Sequence, residues 1–474
     1  MLIKHIFTDK IAHSSYMIIG SRSCAVIDPQ RDVDIYIEEA RRRGVKITMI
    51  ILTHLHADFV SGHIDLADRS GADIYAPLAA ECTFQHKPVS EGDIIKLEDM
   101  RLEVIETPGH TPEHVSYTVT DLSRGREPVG IFVGDLIFVG DVGRPDIFPN
   151  KAEELAGKLY DSLFNKLLKL PDHCEIYPAH GAGSLCGRSI GAKHLSTLGY
   201  EKLYNPALQI KVREEFIRSL TENMPPAPDH FLRCSDINRH GPRLLSSFAP
   251  LEELKPQEFK EAIADSEAVV VDIRSYSAYG GMNIGGSYNI ELRGNFPTFG
   301  GWVLPTDRDI YLVGDNYNET VLAALWLRRV GMDRVKGCLA GGMPPWVMSG
   351  LETESVQLIS TEKLHALVTG NNPTALIDIR TPLEYNDSHI EGAINIPVPD
   401  LRIRYRELDP DLPMILICST GFRSGLAASI LKQHGFKDIS HLAGGMTGYS
   451  AAGYAKKCDI CVNPHGSRFA VTIQ

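Results

Sequence analysis

The chain has 474 residues, of which 43% are hydrophobic and 23% charged, and its formal net charge is -12. This length exceeds what one hydrophobic core supports, so we expect several domains. The acidic balance argues against nucleic acid and anionic membranes as main partners, because both attract basic surfaces. No stretch reaches the ~20 apolar residues of a membrane span, and the first residues show no cleavable leader. The nine cysteines are mostly unpaired by spacing, so we expect a reducing, cytoplasmic location.

The first half of the chain alternates strand-like and helix-like segments. Strands are predicted at the apolar runs 23–29, 46–54, 101–107, 115–121, 130–135 and 174–180. Helical periodicity predicts one helix over 33–44 and a second from about Asp58 to Arg69. Several of the strands end in a polar side chain, which is where layered α/β folds usually hold their functional groups.

Metal-binding side chains stand at the ends of these predicted strands. They are His54, His56, Asp58, His110, Asp135 and His180. Two imidazoles one residue apart can leave a strand end near one point, and a carboxylate at a helix start suits the helix dipole. Any one of these residues alone would more often be a satisfied polar group or a helix cap. The whole set in this order indicates a metal site.

The segments "HLHAD", "PGHTPEH", "GD" and "PAH" occur in an order that resembles the metallo-β-lactamase superfamily, over about residues 1–220. The resemblance implies a four-layered α/β/β/α sandwich with the metal at one edge of its two sheets. Members with two metals carry a histidine at the position of Phe59, and a phenyl ring cannot bind a metal. His63, one helical turn further on, is a less favoured substitute. We therefore expect one metal ion only.

Mononuclear members of the superfamily include the persulfide dioxygenases, and resemblance to them implies His54, His110 and Asp135 as ligands. Two imidazoles and one carboxylate on one face are typical of non-haem Fe(II) oxygenases, so one Fe(II) per chain is expected. The other three candidates then become supporting groups that orient the ligands, namely His56, Asp58 and His180.

Three further residues near this site have two interpretations each. Arg144 and Asp146, in "GRPD", are candidates either for contacts with a thiol substrate or for structural contacts. Cys186, in "AHGAGSLCG", is either a thiol that handles persulfide or, as the favoured alternative, a small buried residue.

The second half of the chain contains an internal repeat. Residues 268–290 match 374–396, and residues 335–346 match 439–449, at offsets of roughly 103–106 residues. The predicted organisation is an α/β multidomain chain. Its parts are a first domain at 1–222, a proline-rich linker or arm at 223–249, two tandem copies at 250–352 and 356–457, and a tail at 458–474.

The second copy carries a cysteine at a strand end. Cys418 is followed by a short loop and then a helix, and the loop residues are Ser419, Thr420, Gly421, Phe422, Arg423 and Ser424. Inward N–H groups, the helix N-terminus and the guanidinium of Arg423 would all stabilise a thiolate. The segment resembles a rhodanese over about residues 356–455, down to "LAGGM". Cysteine phosphatases are the rival, but they have His before the cysteine and a longer loop, whereas Ile417 precedes Cys418 here.

The first copy matches the pattern of the repeat but lacks the residues that would transfer sulfur. Gly314 stands at the position of Cys418, and Glu319 stands at the position of Arg423. We expect an inactive rhodanese-like domain used for packing or docking, and Cys338, which lies elsewhere in the copy, does not replace the thiol. The pair Cys458 and Cys461 is weak evidence for a dithiol.

The combination resembles bacterial persulfide dioxygenase–rhodanese fusions. This implies a thiol persulfide, O₂ and sulfite as partners: the metal site forms sulfite and free thiol, and Cys418 passes a sulfane sulfur to sulfite, giving thiosulfate. The alternatives are a glyoxalase II-type thioester hydrolase, with zinc, and a non-catalytic sulfur-relay scaffold. The carrier thiol is left open, and the sequence allows a homo-oligomer.

Overall fold

The computed structural model describes residues 1–222, 224, 226–264, 267–370, 374–456, 460–462 and 468–470, the last two ranges by their backbone. The chain forms two compact units. The first contains Met1–Ala249 with Arg329–Gly331, and the second starts at Pro250. Among the described residues, no helix is both long and apolar enough to span a bilayer. Cys458 and the side chain of Cys461 lie outside the described part of the chain.

One sheet of the first unit has six strands in chain order. They are β1 (Leu2–Thr8), β2 (His13–Ile19), β3 (Ser23–Ile27), β4 (Lys46–Ile51), β5 (Asp73–Pro77) and β6 (Lys87–Val89). β1 to β3 pair antiparallel, whereas β3 to β6 pair in parallel and need crossover connections. Helices α1 (Asp34–Arg43) and α2 (His63–Ser70) supply the crossovers on either side of β4.

The second sheet of this unit follows along the chain. Its strands are β7 (Ile94–Leu97), β8 (Met100–Glu106), β9 (Val115–Asp121) and β10 (Gly130–Gly134), a hairpin of β11 (Ile137–Phe138) and β12 (Asp141–Val142) outside the sheet, then β13 (Glu175–Pro178) and β14 (Ser196–Thr197). The spatial order is β14-β13-β10-β9-β8-β7. The later helices of the unit are α3 (Ala152–Asn165), α4 (Leu198–Tyr204), α5 (Pro206–Gln209), α6 (Arg213–Thr221) and α7 (His230–His240).

The two sheets pack face to face and helices cover their outer faces. Tyr16 of the first sheet and Tyr117 of the second belong to one buried cluster between them. Leu66 of α2 packs in a cluster with first-sheet residues, and Leu159 of α3 packs with Phe216 of α6 in a cluster with second-sheet residues. This is the expected α/β/β/α sandwich, and continuous apolar runs such as that of β10 fit sheets that are buried on both faces.

Two expectations about helices are corrected. The second helix begins at His63 and not at Asp58, so Asp58 lies in the loop after β4 and does not benefit from the helix dipole. The segment 223–249 was predicted to be a linker or arm between domains, but it contains α7, which buries Phe231, Cys234 and Asn238, and it belongs to the first unit. The prolines at the start of this segment favoured the prediction of a linker, so the amphipathic helix that follows them was not predicted.

The second unit contains the two copies of the repeat. The first copy consists of β15 (Glu252–Leu254), α8 (Pro256–Ile263), β16 (Ala268–Asp272), α9 (Tyr276–Gly281), β17 (Tyr288–Asn289), α10 (Phe296–Val303), β18 (Asp309–Val313), α11 (Tyr317–Arg329), β19 (Val335–Leu339) and α12 (Met343–Met348). Its five strands are parallel in the order β15-β19-β18-β16-β17.

The second copy repeats this arrangement. It consists of β20 (Gln357–Ile359), α13 (Thr361–Thr369), β21 (Ala375–Asp378), α14 (Pro382–Asp387), β22 (Ile394–Asn395), α15 (Leu401–Arg404), β23 (Met414–Ile417), α16 (Phe422–Gln433), β24 (Ile439–Leu442) and α17 (Gly445–Ala451), and β25 (Ile460–Val462) and β26 (Arg468–Ala470) form a separate hairpin. The strand order β20-β24-β23-β21-β22 matches the first copy strand for strand, so the repeat found in the sequence is a repeat of the fold.

Candidate functional site

The structure brings the three predicted metal ligands together at one edge of the sandwich. His54 follows β4, His110 lies in the turn between β8 and β9, and Asp135 directly follows β10. One ligand atom from each of the three lies within 4.8 Å of the others, and all three side chains are buried. Strand ends from both sheets therefore converge where the sequence predicted the site.

The orientation of the two imidazoles suits a bound cation. The Nδ1 atom of His54 is hydrogen-bonded with the Thr53 hydroxyl at 2.8 Å, and Nδ1–H of His110 donates to the Arg144 carbonyl at 2.9 Å. These bonds turn the Nε2 atoms inward, at 3.8 Å (His54) and 3.2 Å (His110) from Oδ2 of Asp135. Within the described residues, Nε2 of His54 is buried without a hydrogen-bond partner. Two inward imidazole nitrogens facing a buried carboxylate fit a divalent metal ion.

The charge distribution agrees with this fit. Burial would raise the pKa of the Asp135 carboxyl, but His180 and His110 hold it well below its usual range. Burial lowers the pKa of His110, and the Asp135 carboxylate raises it more, to about 10. An ionised carboxylate this deeply buried needs positive charge beside it, which a metal ion supplies.

A second group of potential ligands lies next to the first. His56, Asp58 and His180 also place ligand atoms within 4.8 Å of one another. His180 lies between two carboxylates: its Nδ1 is 2.7 Å from Oδ1 of Asp135, and its Nε2 is 2.8 Å from Oδ2 of Asp58. Nε2 of His56 is 3.3 Å from Oδ1 of Asp28. These contacts orient the side chains. The ligand atoms of His56, Asp58 and His180 are also the ones that a second metal ion would bind.

Phe59 fills the space beside this second group. Its buried ring lies 4.5 Å from the ring of His56 and 4.2 Å from the ring of His13, measured between centroids. His13 was not identified from the sequence, because it lies on β2, far along the chain from the motifs. The ring of His63 is tilted against that of Phe84, with centroids 4.6 Å apart, and, among the described residues, His63 belongs to no group of potential ligands.

The loop that carries His56 and Phe59 is held by a residue of α7. The amide of Asn238 donates to the carbonyls of His56 and Phe59, at 2.8 and 2.9 Å, and accepts from the N–H of Ser61. Asn238 was missed by the sequence interpretation, and no local signal identifies it. Long-range contacts of this kind are invisible without the fold.

His114 was also missed, although its motif was quoted. Its Nε2 accepts a hydrogen bond from the N–H of Asp135 at 3.0 Å, and its Nδ1 meets the Thr107 hydroxyl at 2.9 Å. Burial and the neighbouring His110 lower the pKa of His114 to about 3, so the ring is neutral, as an acceptor must be. His114 therefore fixes the backbone of Asp135 and is not itself among the three ligands. The doubled histidine in "PGHTPEH" was the available signal.

Arg144 and Asp146 make structural contacts. Arg144 is only 2% exposed and forms a two-pronged pair with Asp146, with both distances at 2.7 Å. The guanidinium also donates to the Leu185 carbonyl, and the backbone N–H of Arg144 donates to the Cys186 carbonyl. Cys186 is fully buried and offers its sulfur near Asp135 and His180. Arg144 thus braces the loop that brings Cys186 to the site.

The predicted sulfur loop surrounds Cys418 at the end of β23. The N–H of Gly421 donates to Sγ of Cys418 at 2.9 Å, and Gly421 has a φ of 112°, which favours glycine. Helix α16 begins at the next residue, so its N-terminal end also faces the sulfur. Cys418 is 1% exposed. Backbone polarity is thus directed at the thiol, as a thiolate requires.

Arg423 has a partner that the sequence did not predict. Its guanidinium pairs with the buried carboxylate of Glu384 at 2.7 and 2.8 Å and also donates to the Ser419 hydroxyl. Burial would raise the pKa of Glu384, but Arg423 and Ser419 lower it to about 2. Glu384 therefore offsets part of the charge of Arg423, which also interacts electrostatically with Cys418, and the contacts of Arg423 fix the loop. Glu384, in "PLEY", was missed because its partner lies 39 residues away.

The matching loop of the first copy has no room for a cysteine side chain. A methyl group at Gly314 would lie 2.8 Å from Cγ2 of Thr320 and 3.2 Å from Cδ1 of Ile273. Cys338 lies on β19 and is buried there.

Comparison with known proteins agrees with this architecture. The family model "Metallo-beta-lactamase superfamily" matches residues 8–180, and the model "Rhodanese-like domain" matches residues 255–349 and 360–452. A solved metallo-beta-lactamase structure from Staphylococcus aureus is 34% identical, with a TM-score of 0.65, covering 72% of this chain and 99% of that one. The chain belongs to the metallo-beta-lactamase superfamily. More particularly, it joins a domain similar to ETHE1 proteins to two rhodanese-like domains.

Similar proteins are named for two different reactions. The mouse protein "Persulfide dioxygenase ETHE1, mitochondrial" is 29% identical over 237 residues, 48% of this chain and 84% of that protein. A hydroxyacylglutathione hydrolase of Nitrobacter winogradskyi is 31% identical over 236 residues, 46% of this chain and 84% of that protein. The similarity places the first unit among metal-dependent enzymes of sulfur compounds without choosing between oxidation and hydrolysis.

Proposed function

We propose that the first unit oxidises a low-molecular-weight thiol persulfide with O₂, and that Cys418 uses the resulting sulfite to form thiosulfate. The observation that carries this proposal is the ligand set of His54, His110 and Asp135 beside a phenyl ring at Phe59. Two imidazoles and one carboxylate hold one ion and leave neighbouring positions for other ligands. The persulfide dioxygenases among the relatives support the choice of substrate.

The first reaction balances as RSSH + O₂ + H₂O → RSH + SO₃²⁻ + 2H⁺. A bound Fe(II) supplies the redox chemistry and open positions that O₂ requires and that no side chain provides. The protein supplies orientation and a dry site. The Thr53 hydroxyl and the Arg144 carbonyl hold the two imidazoles, and His114 holds the backbone of Asp135. The ring of Phe59 is fully buried against His56 and His13.

The second reaction takes place at Cys418 in two transfers. The thiolate attacks the outer sulfur of a persulfide, so a new S–S bond forms on Cys418 while the RS–S bond breaks and the thiol leaves with a proton. Sulfite then attacks the outer sulfur of the Cys418 persulfide. Thiosulfate forms and the thiolate is regenerated, held by the N–H of Gly421. Because sulfite is the product of the first site, the fusion supplies the second site with its acceptor.

We also propose a cytoplasmic location for the chain. The described cysteines whose side chains are placed are free thiols, among them Cys418 and Cys186. Both reactions need reduced sulfur groups, which persist in a reducing compartment.

Thioester hydrolysis is the second candidate for the first unit. The group of His56, Asp58 and His180 offers ligands for a second metal ion, and hydrolases of the glyoxalase II type are similar to the chain at comparable identity. A hydrolase would use metal-bound hydroxide and no O₂.

Metal content and oxygen uptake separate the two candidates. We expect anaerobically purified protein to hold about one iron per chain and to consume O₂ with glutathione persulfide. His110→Ala abolishes that uptake, whereas His173→Ala, which removes an exposed histidine of the same unit, preserves it. Two zinc ions per chain, thioester cleavage and no oxygen uptake would contradict the dioxygenase proposal.

Phe59→His tests why the site holds one ion. The new imidazole would stand beside His56 and near His180, where it completes a second ligand group. We expect the metal content of this variant to rise towards two ions per chain and the oxygen uptake to fall. An unchanged metal content would show that Phe59 does not determine the number of ions.

A further inference from the structure

A side chain of the first rhodanese-like copy lies against the sulfur loop of the second. A methyl group at Gly421 would meet Cε1 and Cε2 of the Tyr276 ring at 2.6 and 2.9 Å, well inside van der Waals contact. The same ring lies 6.2 Å from the ring of Phe422 and 5.5 Å from that of His441, measured between centroids. Tyr276 therefore covers the loop at the residue whose N–H contacts Cys418.

The contact continues along α16, where small residues recur at four-residue intervals. A methyl group at Gly425 would lie 3.1 Å from Cβ of Tyr276 and 3.2 Å from Cγ of Asn289. One turn further on, the hydroxyl of Ser429 accepts the backbone N–H of Asn289 at 3.1 Å. Residues 421, 425 and 429 lie on one side of the helix. Tyr276 and Asn289 of the first copy pack against that side.

The corresponding helix of the first copy has no such surface. Tyr317 and Val321 of α11 stand at the positions of Gly421 and Gly425, and both side chains are more than one third exposed. Only the copy that carries the cysteine has the small residues that permit close approach. Since the two copies share a fold, the glycines follow from the contact with Tyr276 and Asn289 and not from the fold itself.

The contact reaches the reacting sulfur through one residue. Gly421 has a φ of 112°, a conformation that holds its N–H at 2.9 Å from Sγ of Cys418. Nothing larger than glycine fits between the loop and the Tyr276 ring. A shift of the ring would free Gly421 to turn, and the N–H would then leave the sulfur.

We propose that Tyr276 is a positioning residue for Cys418, and that the first copy, which has Gly314 at the position of the reactive cysteine, serves as a support that holds the sulfur loop of the second. This extends the proposed sulfur transfer at Cys418 by giving the first copy a part in it. Arg423 of the loop and its partner Glu384 in α14 both belong to the second copy, so we expect their ion pair to persist when Tyr276 is changed.

The test is the rate at which iodoacetamide alkylates Cys418 as a function of pH, followed in the full-length protein by mass spectrometry of the Cys418 peptide. Tyr276→Ala is expected to lower the rate at pH 7 about tenfold and to move the midpoint of the profile to higher pH, because the thiolate loses a hydrogen bond. Tyr276→Phe keeps the ring carbons that meet Gly421 and is expected to restore the rate to within about twofold.

Tyr317→Ala is the matched control, because it removes a part-exposed tyrosine of the same copy whose hydroxyl donates to the Leu251 carbonyl of that copy. Tyr276→Leu keeps apolar volume and serves if the alanine variant fails to fold, as judged by hydrogen exchange of β16. A normal profile in folded Tyr276→Ala or Tyr276→Leu protein would overturn the inference. Alkylation requires no persulfide, so a wild-type protein that forms no thiosulfate would contradict the proposed function and leave this result intact.

Discussion

The two rhodanese-like copies keep the same framework while differing in the groups that perform chemistry. In each copy an arginine forms a bidentate ion pair with the aspartate two residues before it. Arg274 pairs with Asp272, and Arg380 pairs with Asp378. An asparagine then donates to the carbonyls of both residues, as Asn395 does in the second copy. These buried contacts follow the strand ends and are independent of the cysteine.

The differences concentrate around the sulfur loop. Cys418 is matched by Gly314, and the buried pair of Glu384 and Arg423 is matched by Ala278 and Glu319. Both members of the ion pair are absent from the first copy. A buried glutamate without its arginine would be costly, so loss of one partner favours loss of the other. The comparison indicates that the framework stabilises the fold and the ion pair stabilises the loop.

The largest expected effect comes from the thiol itself. Cys418→Ser removes the nucleophile, so thiosulfate formation should fall by about three orders of magnitude or more. Oxygen uptake with glutathione persulfide should persist, and sulfite should accumulate. Ion chromatography of both products checks this. An unchanged thiosulfate yield would mean that another thiol performs the transfer.

Gly314→Cys, made in the Cys418→Ser protein, tests whether the first copy lacks only a thiol. The new side chain would collide with Thr320, and the loop lacks an arginine–glutamate pair. We expect no recovery of thiosulfate. Recovery of thiosulfate formation would show that the first copy lacks only the thiol.

The ion pair gives the next largest effect. Glu384→Gln leaves the buried guanidinium of Arg423 without its countercharge, which should destabilise the second copy by about 3 kcal/mol. Hydrogen exchange of β23 and α16 measures the loss. Glu319→Gln, at the position of Arg423 in the first copy, is the matched control, and its effect should stay within about 0.5 kcal/mol. Equal effects of the two changes would contradict a special role for the pair.

The same pair predicts a dependence on acid. The pKa of Glu384 is lowered to about 2 in the folded protein from its ordinary value of 4.5. Its stabilisation is therefore complete above about pH 4.5 and is lost as the pH falls through 2, by about 3 kcal/mol in total. The stability gap between wild type and Glu384→Gln should close over this range. Cleavage of the second copy by pepsin at pH 2 to 4.5 measures the gap. All three tryptophans lie in the first copy, so their fluorescence reports separately on the unfolding of that copy. A constant gap would contradict the cause assigned to the shift.

Short-range patterns in the sequence predicted much of the molecule. The ligand candidates His54, His110 and Asp135 were recognisable because each follows a strand within a few residues, and the strand ends of one layered fold meet at one edge. The repeat predicted the second fold because apolar strands and "LAGGM" recur at one spacing. These features depend on neighbours in the chain.

The residues that the sequence did not reveal act across long separations. Asn238 holds a loop more than 170 residues away, and Glu384 meets Arg423 across 39 residues. The proline-rich start of 223–249 obscured α7. The sequence predicted Arg423 as a positive charge near the thiolate but did not reveal its ion pair with Glu384. Motifs identify the reacting groups, whereas the groups that orient them are set by packing.

The smallest expected effect tests the shared framework directly. The hydroxyl of Tyr279 donates to the Ser287 carbonyl at 3.1 Å, and that of Tyr385 donates to the Ala393 carbonyl at 2.6 Å. Tyr279→Phe and Tyr385→Phe each remove one hydrogen bond and should destabilise their own copies by about 1 kcal/mol, by hydrogen exchange of β16 and β21. Neither change should lower thiosulfate formation. Suppose that Tyr385→Phe lowers thiosulfate formation and Tyr279→Phe does not. The hydrogen bond of Tyr385 would then support the sulfur loop as well as the fold, and the framework and the loop would not be independent.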